Sequence, residues 1–132
     1  MILFGEAFGK KLHSPVVVAL AGDLGAGKTT LAKGVISGLC GVPVSSITSP
    51  TFQYVHFYSG NSGDVSHFDL WRLRDEHEFL CLGLEEYLSF GISLVEWPDR
   101  IRSLLPSSTL FIETKVWGEG REVSIYGKEP SR

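Results

Sequence analysis

The feature that most constrains this chain is a glycine-rich stretch that directly follows a continuous aliphatic run. The run, Pro15 to Ala21, has no polar residue and is bounded by proline and glycine, which is typical of a strand buried on both faces of an α/β sheet. The next eight residues, Gly22 to Thr29 (GDLGAGKT), match the pattern G-x-x-x-x-G-K-[ST] at every position. Beyond them, Leu31, Val35 and Leu39 recur at helical spacing. A strand, a loop and a helix in this order predict a phosphate-binding loop.

The chemistry of such a loop depends on backbone amides that converge on phosphate oxygens. Glycines let the backbone curl around the anion, and the N-terminus of the following helix adds partial positive charge. We expect the ammonium group of Lys28 to reach the β and γ oxygens and the hydroxyl group of Thr29 to bind Mg²⁺. The residues of the loop predicted to contact the nucleotide are Gly25, Ala26, Gly27, Lys28, Thr29 and Thr30.

A site of this kind needs a carboxylate that holds Mg²⁺ or its water, at the carboxyl end of a strand beside the first one. Glu96 is one candidate, because it ends the predicted buried strand Ile92 to Val95 and precedes Trp97 and Pro98. A carboxylate at a helix N-terminus is the alternative interpretation of Glu96. The sequence therefore places one candidate Mg²⁺ carboxylate at the end of a buried strand.

Asp69 is the second carboxylate candidate. It stands two residues after His67 in a stretch that alternates in polarity, so the two side chains share one face of a strand. Asp69 could bind a water on Mg²⁺, act as the base that orients the attacking water, or pair with Arg72. His67 fits either a metal-binding H-x-D pattern or a hydrogen-bonded strand histidine, and its spacing alone does not decide between them.

Two other loops carry candidate nucleotide contacts. Thr51 follows Ser49 and Pro50 after the predicted helix, where other switch proteins place a hydroxyl that senses the γ-phosphate and Mg²⁺, although a proline-initiated turn explains the same residues. Gly120 and Arg121 precede the last predicted strand, and such a loop could wrap the adenine with Arg121 stacked on it. A plain hairpin turn is the alternative.

The pattern of the whole chain predicts an α/β protein with the P-loop NTPase fold: three layers around a mixed, mainly parallel sheet with a C-terminal antiparallel pair. We predict one domain over residues 1–127 and a flexible tail over 128–132. The other predicted elements are a hairpin of Phe52 to Tyr58 with Val65 to Leu70, two short helices within Asp75 to Ser89 separated at Gly83, a short helix over Asp99 to Leu105, and a closing pair of Thr109 to Val116 with Arg121 to Tyr126.

Composition excludes several other classes of protein. The 132 residues are 43% hydrophobic and carry a formal net charge of −3, so a single core can form, and the basic surface of a direct nucleic-acid binder is missing. Cys40 and Cys81 lie outside the spacings of zinc sites. No apolar run has the length of a membrane span, and Met1 to Glu6 lacks the basic start of a signal peptide. We therefore expect a cytoplasmic protein without membrane contact.

Several motifs together resemble the TsaE family, the small ATPase of bacterial tRNA threonylcarbamoyladenosine biosynthesis. These motifs are GDLGAGKTT, SPTF, HFDLWRL, GLEEY, VEWPDR and GREV, and they follow the order and spacing of the family from about Phe8 to Tyr126. The resemblance implies an ATPase that uses ATP and Mg²⁺. It also implies that the partners are TsaB and TsaD, which place threonylcarbamoyl on the adenosine beside the anticodon, so that tRNA is met only through them.

The resemblance also implies roles for individual residues. Lys28 corresponds to the catalytic lysine of the loop, Thr29 and Glu96 to the Mg²⁺ ligands, and Asp69 to a catalytic or metal-water residue. The sequence departs from the family at Trp71, where tyrosine is usual. It also begins almost at a predicted helix, Glu6 to Leu12, before which relatives carry a further strand-like segment.

Hydrolysis by the isolated chain is expected to be slow. An arginine finger contributes about 10³ to 10⁵ in rate in other P-loop systems, and no arginine of this sequence has an assured place in the site. A partner is therefore expected to stimulate the reaction. Two other functions use the same loop: a small-molecule kinase, and a nucleotide-dependent interaction module that needs no hydrolysis.

Overall fold

The computed structural model describes residues 1–22 and 27–127, with the side chain of Trp117 left aside. Helices and strands alternate for most of this length, as the sequence predicts. The α-helices are α1 (Ile2–Lys10), α2 (Lys28–Cys40) and α3 (Glu76–Cys81), and 3₁₀ helices cover Val44–Ser46, Glu85–Leu88 and Pro98–Leu104. The strands are β1 (Val16–Gly22), β2 (Val55–Gly60), β3 (Gly63–Asp69), β4 (Ile92–Glu96), β5 (Leu110–Trp117) and β6 (Gly120–Tyr126).

The strands form one mixed sheet in the order β2-β3-β4-β1-β5-β6. The four inner strands are parallel, whereas β2 and β6 pair antiparallel at the two edges. Strand β1 lies near the centre because its run of valine, alanine and leucine is suited to burial on both faces. The predicted α/β class, the mainly parallel sheet and the C-terminal antiparallel pair are therefore confirmed.

Apolar residues cover both faces of the sheet and produce the predicted three layers. On one face, Val18, Leu20 and Leu94 pack with α2 and its neighbours in the larger cluster. On the other face, Val17, Phe68 and Val95 pack with Phe79 of α3 and the residues around the 3₁₀ helices. Since strand side chains alternate between faces, Glu96 lies on the same face as Leu94, toward α2. Within the described residues, no helix is long and apolar enough to cross a membrane.

Three predicted boundaries are wrong by a few residues, each for a local reason. Strand β2 begins at Val55 rather than Phe52 because Tyr54 has a positive φ of 66°, which interrupts the extended backbone. The following loop shrinks to two residues because Gly60 pairs with Gly63. Helix α1 covers Ile2–Lys10 rather than Glu6 to Leu12, since the close packing of its first turns against α2 extends the helix toward the N-terminus.

Helices α1 and α2 meet along a seam of glycines that brings their backbones into contact. A methyl group at Gly5 or Gly9 would lie 2.8 Å or 2.4 Å from carbonyl oxygens of α2, those of Leu31 and Val35. A methyl group at Gly34 or Gly38 of α2 would likewise clash with the backbone of α1. The seam therefore fixes α1 against α2.

We expect the substitution Gly9→Ala to lower the free energy of unfolding by about 1–3 kcal/mol, because the added methyl group overpacks this seam. Intrinsic helix propensity favours alanine over glycine by about 1 kcal/mol, so a loss of stability reports the clash itself. Urea unfolding measures the change. The matched control is Gly127→Ala, where a methyl group meets no atom within 4 Å. Equal stability of the two variants would contradict the packing of the seam.

Candidate active site

The N-terminus of α2 carries the first residues of the predicted phosphate site that the structure describes. Gly27 precedes the helix with a φ of 95°, a conformation that L-residues with side chains rarely adopt, and it lets the chain turn directly into α2. Lys28 and Thr29 therefore stand in the first helical turn, where backbone amides have no partner within the helix. The predicted contacts Gly25 and Ala26 lie outside the described residues.

The contacts that hold Lys28 at this turn include one with a strand end and one with an aromatic ring. Its Nζ donates a hydrogen bond of 2.7 Å to the carbonyl oxygen of Gly22 at the end of β1, and it lies 3.4 Å from the centroid of the Trp97 ring. The side chain is only 6% exposed. An ammonium group on an indole face gains from the negative face of the ring. The amine is thus positioned beside the helix N-terminus by a strand end and an aromatic ring.

Trp97 takes an unusual backbone conformation to make this contact. Its φ of 61° and ψ of 55° place it in the left-handed region, which costs a residue with a side chain about 1–3 kcal/mol. The bend lies between Glu96 and the 3₁₀ helix that starts at Pro98. It turns the Trp97 ring over Lys28 and against the ring of Trp71, with centroids 4.5 Å apart. The strained conformation of Trp97 therefore places its ring in the wall of the cleft.

Glu96 and Thr29 are joined directly. The Thr29 hydroxyl group donates a hydrogen bond of 2.9 Å to Oε1 of Glu96, although 67 residues separate them in sequence. Glu96 is the last residue of β4 and only 2% exposed, and its strand pairs with both β1 and β3. The sheet thus brings a carboxylate to the hydroxyl of the first turn of α2.

Asp69 ends the next strand and is paired in register with Glu96. Its Oδ1 accepts a hydrogen bond of 3.1 Å from the backbone amide of Trp71. Burial raises the pKa of Asp69, the amide of Trp71 opposes this rise, and the charge of Glu96 adds to it. Arg72 lies over the Phe52 ring, with 4.5 Å from its Cζ to the centroid, and Asp69 instead faces the site.

These side chains surround one cleft of about 410 Å³. The cleft lies at the carboxyl ends of parallel strands, where open α/β sheets bind their ligands. Arg121 lines this cleft from β6, which is one edge strand of the sheet. Asp69 lines it from β3, near the opposite edge. The lining residues are Gly27, Lys28, Thr29, Thr30, Asp69, Trp71, Glu96, Trp97 and Arg121.

Two predicted contacts are not among the residues that line the cleft. Thr51 lies in an exposed turn after Pro50, and its backbone amide bonds to the carbonyl oxygen of Ser49. Gly120 starts β6 and pairs with Trp117, and its carbonyl oxygen accepts a hydrogen bond of 3.1 Å from Arg121. The structure therefore brings Arg121 to the site but leaves Thr51 and Gly120 outside its walls.

The donor atoms of the cleft suit Mg²⁺. This ion prefers oxygen ligands, and one or two protein groups commonly bind it together with substrate phosphates and water. Thr29 and Glu96 supply a hydroxyl and a carboxylate 2.9 Å apart, and Asp69 is the register neighbour of Glu96. Across the described ranges, no three His, Cys, Asp or Glu side chains gather into a metal cage. The residues thus fit an ion that the protein shares with a phosphate ligand.

The sequence left two interpretations open for His67, a metal-binding residue or a hydrogen-bonded strand histidine. It predicted no role in the site for Trp71. His67 is fully buried, and its Nε2 lies 2.7 Å from Oε2 of Glu96, so the hydrogen-bonded strand histidine is the interpretation that the structure supports. Trp71 stands just beyond β3 and lines the cleft. The available signals were the two-residue spacing of His67 and Asp69 and the position of Trp71 at the carboxyl end of a strand.

Comparison with known proteins identifies the family of this chain and agrees with its fold. The sequence model of the family "Threonylcarbamoyl adenosine biosynthesis protein TsaE" matches residues 1–123. This chain belongs to the TsaE family. Its family acts in the biosynthesis of threonylcarbamoyladenosine in tRNA.

Individual relatives are similar over most of their length. The TsaE protein of Rickettsia bellii is 37% identical over 120 residues, which cover 91% of this chain and 83% of the relative. The TsaE protein of Haemophilus influenzae is 33% identical over 131 residues, which cover 95% and 82%. A crystal structure of Bacillus subtilis YdiB matches with a TM-score of 0.71 and 33% identity, covering 94% of this chain and 76% of YdiB.

Proposed function

We propose that this TsaE family member is a Mg²⁺-dependent ATPase of the cytoplasm that supports threonylcarbamoyladenosine formation as an accessory subunit of TsaB and TsaD. The observation that carries the proposal is the 2.9 Å hydrogen bond between Thr29 and Glu96, directly beside Lys28 in the first turn of α2. A hydroxyl, a carboxylate and an amine at one helix N-terminus are the groups that a Mg²⁺-nucleotide needs. The partners and the tRNA step come from the TsaE family resemblance.

Each side chain has a defined task in this proposal. Lys28 and the first amides of α2 bind the phosphate oxygens, and Thr29 and Glu96 hold Mg²⁺, which supplies positive charge to those oxygens when bound. Lys28 has three N–H donors, so it can keep its bond to Gly22 while it binds a phosphate.

Asp69 acts on water. It accepts the proton of the attacking water, whose oxygen bonds to the γ-phosphorus as the bond to the β–γ bridging oxygen breaks and ADP leaves. The raised pKa of Asp69, which comes first from burial, makes its carboxylate a better proton acceptor than an exposed aspartate. Arg121 lines the cleft, and in this proposal it contacts the nucleotide base.

The isolated chain should turn over slowly, because Arg121, the arginine among the lining residues, is assigned to the nucleotide base and two other arginines have contacts elsewhere. The guanidinium of Arg72 lies over Phe52, and Arg100 bonds to the Trp71 carbonyl oxygen and pairs with Asp99. A partner that inserts an arginine into such a site accelerates hydrolysis by about 10³ to 10⁵. We therefore expect stimulation by the TsaB–TsaD pair.

Mg²⁺-dependent phosphate release from ATP tests the proposal, measured for the chain alone and with purified TsaB and TsaD. Slow release alone, strong stimulation by the pair and loss of stimulation without Mg²⁺ are expected. Turnover at about 10 s⁻¹ or more without partners, a rate typical of complete enzymes, would contradict partner activation. Transfer of the phosphoryl group to a small acceptor would indicate a kinase, and tight ATP binding without release would indicate an interaction module.

A further inference from the structure

His67 is a buried polar residue whose side chain makes one polar contact within the described residues, with Glu96. It lies in the central part of β3, is 0% exposed and is paired in register with Leu94. Its Nε2 lies 2.7 Å from Oε2 of Glu96. Its other ring nitrogen, Nδ1, is the one buried side-chain nitrogen or oxygen without a hydrogen-bond partner in the part of the chain that the structure describes. Core packing alone does not explain this residue, since an apolar side chain would leave no polar atom unsatisfied.

The proton of this contact can be assigned if Glu96 is an ionised carboxylate, the form in which it would bind a metal ion. An ionised carboxylate can only accept hydrogen bonds, so the hydrogen of this pair must lie on Nε2 of His67. With the proton on Nε2, Nδ1 carries only a lone pair. Nδ1 then has no buried N–H group that lacks an acceptor. The histidine is therefore arranged to donate one hydrogen bond to Glu96.

The two oxygens of Glu96 consequently have different roles. Oε2 is occupied by His67, whereas Oε1 accepts the hydrogen bond of the Thr29 hydroxyl group at 2.9 Å. Contacts on both oxygens fix the rotation of the carboxylate, and they come from different elements, β3 and α2. Only Oε1 is turned toward the hydroxyl group with which Glu96 would share a metal ion.

We propose that His67 is a positioning residue that orients Glu96 so that a single oxygen, Oε1, is offered to Mg²⁺. This inference rests on the function proposed above for Thr29 and Glu96. Residues that hold a metal ligand in place by a hydrogen bond typically contribute 10- to 100-fold to metal affinity or activity. His67 touches neither the nucleotide nor the reacting atoms, and it acts through Glu96.

The first test is the Mg²⁺ concentration that gives half of the Mg²⁺-dependent tightening of ATP binding. His67→Leu removes the donor and should raise this midpoint about 10- to 100-fold, while ATP affinity in EDTA and the melting temperature stay close to the wild-type values. His67→Gln keeps an amide donor near the position of Nε2 and should restore most of the loss. His13→Leu, at an exposed histidine, is the matched control.

Two results of this titration would overturn the proposal. One is a wild-type midpoint, within about twofold, in folded His67→Leu. The other is an equal shift in the leucine and glutamine variants, because a purely structural role of the ring would not distinguish a donor from an apolar side chain. A wild-type protein whose ATP binding ignores Mg²⁺ would instead contradict the proposed function.

A second readout needs no nucleotide. Nuclear magnetic resonance of the nucleotide-free protein should show one slowly exchanging imidazole N–H proton, because His67 is the one fully buried histidine of the four. The signal should vanish in His67→Gln and shift in Glu96→Gln. Its absence from the wild-type spectrum overturns the proposal whatever the binding data show, and its presence with the shift in Glu96→Gln supports the orientation of Glu96.

Discussion

Replacing Lys28 by alanine is expected to lower partner-stimulated ATP hydrolysis about 100- to 1000-fold. Loss of one preorganised donor to developing charge in a transition state typically has an effect of this size. Lys28 is a strong case because it is almost fully buried and fixed between the Gly22 carbonyl oxygen and the Trp97 ring. A fixed ammonium group needs little reorganisation when negative charge moves toward it.

Phosphate release with TsaB and TsaD measures this effect, and thermal melting shows whether the variant is folded. Lys33→Ala is the matched control, because it removes the same charge from the same helix five residues further on, away from the cleft. It should keep the wild-type rate within about twofold. Equal losses in the two variants, or a rate for Lys28→Ala close to that of the wild type, would contradict the assigned role of Lys28.

The substitution Asp69→Asn should lower the rate constant of hydrolysis about 100- to 10,000-fold and leave ATP affinity unchanged or stronger. General base catalysis contributes a factor of this range, and asparagine keeps the size of the side chain but cannot take up the proton. The negative charge of Asp69 repels the bound phosphates, so its removal should leave their binding unchanged or make it stronger. The expected outcome is thus a tight but inactive complex with ATP.

Single-turnover hydrolysis and equilibrium binding, measured on the same preparation, separate these two effects. Asp64→Asn is the matched control, since it makes the same change at the exposed opposite end of β3. If Asp69→Asn hydrolyses ATP normally, Asp69 is not the base. If it instead loses ATP binding, the residue contributes to the site through binding, and the catalytic role is contradicted.

The variant also discriminates between the proposed ATPase and a pure binding switch. A module that needs only bound nucleotide to change its affinity for partners would still support threonylcarbamoyladenosine formation with Asp69→Asn. An ATPase whose hydrolysis is required would not support it.

Much of the fold could be predicted because local patterns and long-range packing agree. The valine-rich run before Gly22 is suited only to a strand with two covered faces, and β1 lies near the centre of the sheet. The start of β2 was misplaced because the aromatic residues from Phe52 onward resemble a strand, while the positive φ of Tyr54 depends on its tertiary surroundings. Local composition carries no signal for such a bend.

The candidate site was predictable only in part. The glycine-rich motif and the position of Glu96 at the end of a strand indicated that Lys28, Thr29 and Glu96 are neighbours. The reason is that the carboxyl ends of parallel strands meet at one edge of a sheet. The bond from His67 to Glu96 joins residues 29 positions apart and depends on the register of β3 against β4, which no sequence pattern specifies. The predicted contact of Thr51 with the nucleotide stays a prediction, since Thr51 lies in an exposed turn and is not among the residues that line the cleft.

The most direct test of the central claim is a calorimetric titration of the wild-type protein with ATP, carried out in Mg²⁺ and again in EDTA. We expect one ATP per chain and clearly tighter binding in Mg²⁺, because the Thr29 hydroxyl group and the Glu96 carboxylate already lie 2.9 Å apart beside the first turn of α2. Glu96→Gln should remove most of the difference in affinity between the two conditions. Equal affinity with and without Mg²⁺, or no ATP binding at all, would contradict the assignment of this cleft as a Mg²⁺-ATP site.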